Sequence, residues 1–178
     1  LPLFHVFANA GVQMAVLASR GSMVLVPNAR DIPDVMKTIE KTKATFFPSV
    51  PTMFNAMLNH PLVTEGKVDL RSIKLCISGA SALLQDTKES FEKLTGSRIV
   101  EGYALTESMM AICCTPVVGK YKVGSIGMPV SDVFVRIADV EDGSKSLELG
   151  EGNVGEIVIR APQLMRGYWQ RPDATAEM

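Results

Sequence analysis

Ile73-Lys74-Leu75-Cys76-Ile77-Ser78-Gly79-Ala80-Ser81 and Arg98-Ile99-Val100-Glu101-Gly102-Tyr103-Ala104-Leu105-Thr106-Glu107 bracket the stretch that decides the fold. Each begins as an apolar run rich in branched side chains and breaks into small and polar residues, the signature of a strand entering a loop. The spacing predicts strands at Ile73–Ile77 and Arg98–Glu101. Between them Gln85–Thr95 is amphipathic at helical spacing and closes on Gly96, which suits the left-handed turn that ends helices. Strand, helix, strand is a βαβ unit, so the two strands run parallel and their carboxyl ends face the same side. Ligands gather at that side of parallel sheets. Ser78–Ser81 and Gly102–Glu107 are therefore expected to meet.

The pattern extends upstream. Val6, Phe7, Ala10, Met14, Leu17 and Ala18 recur at helical spacing over residues 5–19, with Gly21 as a cap. Ser22–Val26 reads as a short strand ended by Pro27. Asp31 caps a helix from Ile32 to about Thr42, with Pro33 in its first turn and Val35, Met36 and Ile39 on one face. Thr45-Phe46-Phe47 reads as a strand stopped by Pro48. Pro51 opens a helix with Met53, Phe54, Met57 and Leu58 inward, ended near His60-Pro61. Alternating strands and helices predict an α/β subdomain with a parallel sheet over residues 1–118. After Pro116 the character changes. Gly119, Gly124, Gly127 and Pro129 mark turns, and Val133–Ile137 and Val154–Ile159 alternate apolar with polar residues around a Gly- and Glu-rich turn. Residues 119–178 read as an antiparallel, β-rich segment, with Pro172-Asp173-Ala174-Thr175 starting a helix at its end.

Composition excludes several classes. The chain has 178 residues, 47% hydrophobic and 21% charged, with a formal net charge of −1. That is ordinary for a folded globular protein, and the balance gives no basic field to attract nucleic acid. Cys76, Cys113 and Cys114 lie in apolar runs without Cys-x-x-Cys spacing, so they read as buried reduced thiols rather than a zinc site or disulfides. The apolar opening contains Pro2, His5, Asn9 and Gln13 and lacks a basic leader, which fits neither a signal peptide nor a membrane span. The chain begins at Leu1 and stops at Met178 just after a helix starts, and it reads as a piece of a longer protein.

Tyr103-x-x-Thr106-Glu107 at a strand end concentrates an aromatic ring, a hydroxyl and a carboxylate. A ring can stack on a base, and hard oxygen ligands suit phosphate and a divalent cation. On spacing alone, Thr106 and Glu107 serve equally well as caps of a short helix, and Tyr103 as a packed strand-end residue.

Leu3-Phe4-His5, Glu101-Gly102-Tyr103-Ala104-Leu105-Thr106-Glu107, Gly124-Ser125-Ile126-Gly127-Met128-Pro129, and Gly155-Glu156-Ile157 through Gly167-Tyr168-Trp169 follow one another in the order seen in acyl-adenylate-forming enzymes. Along its whole length the chain resembles that superfamily. Arg30-Asp31-Ile32-Pro33 and Leu164-Met165-Arg166-Gly167-Tyr168-Trp169-Gln170-Arg171-Pro172-Asp173-Ala174-Thr175 resemble its bacterial and archaeal long-chain fatty-acid–CoA ligase branch.

The resemblance implies a partial adenylate-forming N-terminal domain that uses ATP, Mg²⁺ and CoA. A carboxylate would join the α-phosphate of ATP, and the acyl group would then pass to the CoA thiol. It assigns Gly102 and Tyr103 to adenine, with Glu101, Ala104 and Leu105 in the same nucleotide-binding run. Gly79, Ala80 and Ser81 form the opposite wall. Thr106 meets a phosphate oxygen, Glu107 is the Mg²⁺ ligand, and a partly buried His5 lies beside the acyl carboxylate. Met109, Met110, Ala111 and Ile112 would help line an acyl tunnel or simply pack in the core. The glycines of 124–129 and 155 read as structural turns. The resemblance also places the phosphate loop upstream, and the ribose-binding aspartate and catalytic lysine downstream, so the isolated chain is expected to be inert. It implies fatty acid, ATP and CoA as partners and no nucleic acid. Its location would be cytoplasmic, with peripheral membrane contact compatible with a long-chain acid; oligomeric state stays open. A ligase for an aryl, short-chain or amino acid, and a non-catalytic nucleotide-binding relative, are the alternatives.

Overall fold

The computed structural model describes residues 1–109, 111–146 and 154–178. A π-helical Phe7–Met14 runs into α1 (Ala15–Ala18). Then come α2 (Ile32–Thr42), β1 (Phe46–Ser49), α3 (Pro51–Leu58), α4 (Pro61–Thr64), β2 (Leu75–Ser78), α5 (Gln85–Thr95) and β3 (Arg98–Ala104). A 3₁₀ turn, Thr106–Ser108, leads to β4 (Ala111–Cys114), β5 (Met128–Pro129), β6 (Phe134–Ala138), β7 (Glu156–Arg160) and α6 (Pro172–Ala176). Among the described residues, one sheet has the order β1-β2-β3-β4-β5 and a second pairs β6 with β7. The first three strands are parallel, as the βαβ pattern requires, and β3-β4-β5 and β6-β7 are antiparallel.

Local chemistry accounts for the helices. Asp31 caps α2 by accepting from Asp34 N at 3.0 Å, and Lys43 ends it in the left-handed conformation at φ 53°. Gly96 ends α5 at φ 70°, donating to Glu92 O at 2.8 Å. The inner faces of α2, α3 and α5 bury Val35, Met36, Ile39, Phe54, Met57 and Phe91 against Cys76 of β2 and Ile99 of β3. Phe54 lies edge-on to Phe47 and Phe91, with ring centroids 5.9 and 4.9 Å apart, an arrangement aromatic quadrupoles favour. A second cluster joins Ile112, Cys113 and Val133 beneath Tyr103. All three cysteines are free, Cys76 and Cys113 buried and Cys114 half-buried.

Several elements differ from the sequence reading. Pro48 does not stop β1; it pairs with Ile77 inside the strand. Thr45 O and Ser49 O accept from Leu75 N and Gly79 N, so these positions face β2 and Pro48 faces the open edge, where its missing N–H costs no ladder bond. Residues 22–26, expected as a strand, form none, and Leu25 is 61% exposed. A strand needs a hydrogen-bonding neighbour as well as branched side chains, and among the described residues no strand pairs with residues 22–26. The helix over 5–19 is present, but its π winding changes which residues share a face. Ala8 is buried, whereas Met14 and Leu17 are exposed. β3 continues past Glu101 to Ala104, because β4 returns beside it and pairs Tyr103 with Cys113. The connection after Thr64 is preceded by α4, whose start His60 caps by accepting from Leu62 N at 3.1 Å.

Candidate functional site

Register brings the strand ends together. Ser78 lies opposite Glu101, so Gly79 leaves the sheet beside Gly102, where β3 passes from parallel pairing with β2 to antiparallel pairing with β4. A Cβ on Gly79 would stand 3.1 Å from Phe7 Cε1 and 3.4 Å from Gly102 O, so glycine leaves room for the Phe7 ring beside the Gly102 carbonyl. Ala80 follows at φ 70°, a left-handed conformation uncommon for a residue with a side chain, and Ala80 and Ser81 are exposed. Gly102 and Tyr103 are half-buried, and Tyr103 packs on the Ile112–Cys113–Val133 cluster. Between Tyr103 and Ala104 the β3–β4 register shifts. Such irregularities re-aim the side chains that follow, and here they precede the exposed Ala104, Leu105 and Thr106.

Glu101 is held entirely from within. Its Oε2 accepts from Leu83 N at 3.2 Å, its Oε1 accepts from the Tyr121 hydroxyl, and its N donates to Thr115 Oγ1 at 2.7 Å. Its carbonyl accepts from Thr115 N at 2.9 Å. The carboxylate thus ties the turn after β2 to the middle of β3, bracing one wall of the site against the other. Burial, then the Glu101 carboxylate, pushes the Tyr121 phenol above the usual tyrosine range. Lys88 Nζ sits 4.6 Å from the Tyr121 ring centroid and pairs with Glu92, whose Oε1 accepts from Ile99 N at 2.7 Å. With Lys88 only 6% exposed, its charge is balanced by that carboxylate and the ring face. The sequence reading missed Leu83, Tyr121 and Thr115 because each partner lies in a different element; Lys88 and Glu92, four apart on α5, carried the one local signal.

Glu107 is half-buried, next to Ser108, whose Oγ donates to Leu105 O at 2.9 Å and closes the turn. The Tyr168 hydroxyl donates to Glu107 Oε1 at 2.7 Å, and Met165 N donates to Glu107 O at 2.7 Å. The phenol's hydrogen bond, which favours the ionised form, holds the Glu107 carboxyl below the usual glutamate range. His5, expected to be partly buried, is exposed. It precedes the first helical turn and its Nδ1 accepts from Phe7 N at 3.1 Å, so the proton of the neutral ring lies on Nε2. Met109 is exposed, Ile112 is buried in the second cluster, and Met110 lies outside the described residues.

Strand ends that converge on two glycines, with an aromatic, a hydroxyl and a carboxylate on the next turn, are chemically suited to a nucleotide. The AMP-binding enzyme family matches residues 1–169. The chain belongs to the AMP-binding enzyme family. It is 38% identical over 178 residues to a long-chain-fatty-acid–CoA ligase of Yersinia pestis, covering 100% of this chain and 31% of the relative. It is 38% identical over 176 residues to that of Bacillus subtilis, covering 99% and 30%. The chain thus spans about a third of the curated relatives' length. Its fold is similar to the anthranilate CoA ligase AuaEII in complex with anthranoyl-AMP, with a TM-score of 0.89 and 27% identity over 99% of this chain and 33% of the other. It is also similar to a long-chain-fatty-acid-CoA ligase, FadD1, from Archaeoglobus fulgidus, with a TM-score of 0.84 and 27% identity over 99% and 36%.

Within this member of the AMP-binding enzyme family the marker motifs acquire physical roles. Gly127 has φ +88°, and a Cβ there would lie 2.1 Å from Cys114 O, so only glycine lets β5 approach β4. Gly167 has φ +144°, and a Cβ there would lie 2.7 Å from Thr175 Cγ2.

Proposed function

We propose that the chain forms the base-and-phosphate wall of an ATP-dependent, AMP-forming long-chain fatty-acid–CoA ligase. The meeting of Gly79 with Gly102, and the Thr106–Ser108 turn that follows β3, carry the nucleotide reading. The acid class rests on 38% identity along the chain to long-chain-fatty-acid–CoA ligases. Tyr103 and Gly102 receive adenine, Gly79-Ala80-Ser81 face it, and the Ala104-Leu105 backbone leads to the phosphates. Thr106 donates to a phosphate oxygen, and His5 orients the acyl carboxylate from Nε2. A carboxylate oxygen attacks the α-phosphorus, the bond to pyrophosphate breaks, and acyl-AMP forms. The CoA thiol then takes the acyl group, and AMP leaves. Joining two anions makes positioning and charge neutralisation the main demands on these residues.

Glu107 fits Mg²⁺. Among the described residues no cluster of three or more histidine, cysteine or acidic side chains makes a self-sufficient metal site. Mg²⁺ is commonly held by one or two carboxylates plus substrate phosphates, and a single Glu107 matches that mode. When bound, the ion supplies neutralisation of phosphate charge.

The division near residue 118 belongs to this proposal, with β5 crossing back onto the first sheet. So does a cytoplasmic location with peripheral membrane contact; among the described residues no helix is long and apolar enough to cross a membrane. ATP–pyrophosphate exchange by the full-length protein, run across acids of increasing chain length, tests the function. Glu107→Gln is expected to lower exchange by about 10²-fold, and exchange near the wild-type rate would remove Glu107 from the site. The isolated 178-residue chain is expected to give none. An aryl-acid ligase is the second reading, favoured by the likeness to the anthranilate enzyme, and a preference for aromatic acids in the same series would select it.

A further inference from the structure

We infer that Tyr168 is a positioning residue for Glu107, holding Oε1 so that Oε2 is presented to the divalent cation. The inference rests on the reading of Glu107 as the residue that meets that cation. The two side chains are 61 residues apart in sequence, yet the phenol hydroxyl donates to Oε1 at 2.7 Å. Met165 N donates to the carbonyl of the same glutamate at 2.7 Å, so the segment between β7 and α6 grips Glu107 at both its backbone and its side chain.

The grip is itself built. Tyr168 N donates to Thr175 Oγ1 at 2.9 Å, and that hydroxyl donates to Arg171 O at 2.8 Å. Arg171 meets Asp173 through Nε–Oδ1 and Nη2–Oδ2 contacts, each 3.0 Å. Gly167 lies so close to Thr175 that a side chain there would collide with it. These contacts fold residues 167–175 into a clasp with the phenol at its tip.

Two chemical points favour positioning over simple stapling. The hydroxyl has one proton and two candidate acceptors, Glu107 Oε1 at 2.7 Å and Met178 Sδ at 3.7 Å; an ionised carboxylate at the shorter distance takes it in preference to a thioether. A phenol is also a neutral donor. Lysine or arginine at this place would order the carboxylate but cancel the charge a cation needs, whereas tyrosine orders it and leaves the charge.

Binding of Mn²⁺ to the full-length protein in the presence of α,β-methylene-ATP, followed by the electron paramagnetic resonance signal of free Mn²⁺, tests this without turnover. Tyr168→Phe is expected to weaken Mn²⁺ binding by about 3- to 10-fold while leaving affinity for the nucleotide alone unchanged. Thr175→Ala, which frees the tip of the clasp, is expected to weaken it in the same direction, and Thr175→Ser to restore it. Wild-type Mn²⁺ affinity in Tyr168→Phe, alongside weakened affinity in Glu107→Gln, would overturn the inference and leave the reading of Glu107 standing. Unchanged affinity in Glu107→Gln would overturn both. If Tyr168→Phe fails to fold, the Thr175 pair decides: loss in alanine with recovery in serine supports the clasp, and wild-type affinity in both refutes it.

Discussion

Replacing Gly127 by alanine separates two costs that a conserved-looking turn usually confounds. Gly66 and Gly127 both have positive φ, +67° and +88°. Around Gly66 nothing lies within 4 Å of a built Cβ, whereas at Gly127 the same atom meets Cys114 O at 2.1 Å, Cys114 C at 2.2 Å and Thr115 N at 2.3 Å. Gly66→Ala therefore carries only the backbone term, about 1 kcal/mol. Gly127→Ala adds collision with main-chain atoms that cannot swing aside, about 1–3 kcal/mol by the measure of overpacked cores. The total, roughly 2–4 kcal/mol, corresponds to about a 30- to 10³-fold rise in the opening equilibrium of this region. The strain falls on the Cys114–Met128 pairing and on Thr115, whose amide donates to Glu101 O. Native-state hydrogen exchange of amides 112–115 reads it directly. Protection in Gly127→Ala should fall by about one and a half to three decades, while Gly66→Ala leaves these amides within about one decade of wild type. A fall of less than tenfold in Gly127→Ala would refute the steric reasoning.

The remaining predictions concern the brace and the buried thiols. Glu101→Ala strands the Leu83 amide and the Tyr121 hydroxyl and should cost about 2–3 kcal/mol in urea unfolding. A double-mutant cycle with Tyr121→Phe should give a coupling of about 1–2 kcal/mol, and strict additivity would show that the pair does not interact. Burial pushes the Cys76 thiol up to about 12, and Cys113 and Cys114 upward for the same reason, but Cys114 is the half-buried one of the three. Ellman's reagent at pH 8 should modify Cys114 ahead of the others, with Cys76 reacting only on unfolding; early loss of Cys76 would contradict its burial. Because the folded thiol of Cys76 titrates above its unfolded value of 9.0, its contribution to stability is complete below pH 9 and is lost as pH rises towards about 12. Urea midpoints followed across that window should fall with pH, and Cys76→Ala should flatten the fall.

What could be read from residues alone was local. α2 and α5 were predicted over the residues they occupy because the signals that bound them, Asp31 and Gly96, act within one turn. The meeting of Gly79 with Gly102 was legible too, since it follows from parallel pairing and needs no knowledge of side chains. The length of β3 was not, because Gly102-Tyr103-Ala104 reads as a loop until β4 supplies its partner. Nor was the part played by Glu101. A carboxylate next to a nucleotide motif looks like a ligand contact, and only the arrival of Leu83, Thr115 and Tyr121 from three other segments makes it a brace. His5 was placed correctly at the start of the helix, but its exposure depends on packing that sequence spacing does not encode.

Pro48 carries a consequence beyond the strand it occupies. A parallel sheet with a bare outer strand is a template onto which a second molecule can add, extending the sheet from copy to copy. At the middle of that rim this chain presents a ring in place of a hydrogen-bond donor. A foreign strand laid along it would find one rung missing and a pyrrolidine standing in the gap. Pro48 is therefore expected to disfavour edge-to-edge pairing of copies along β1.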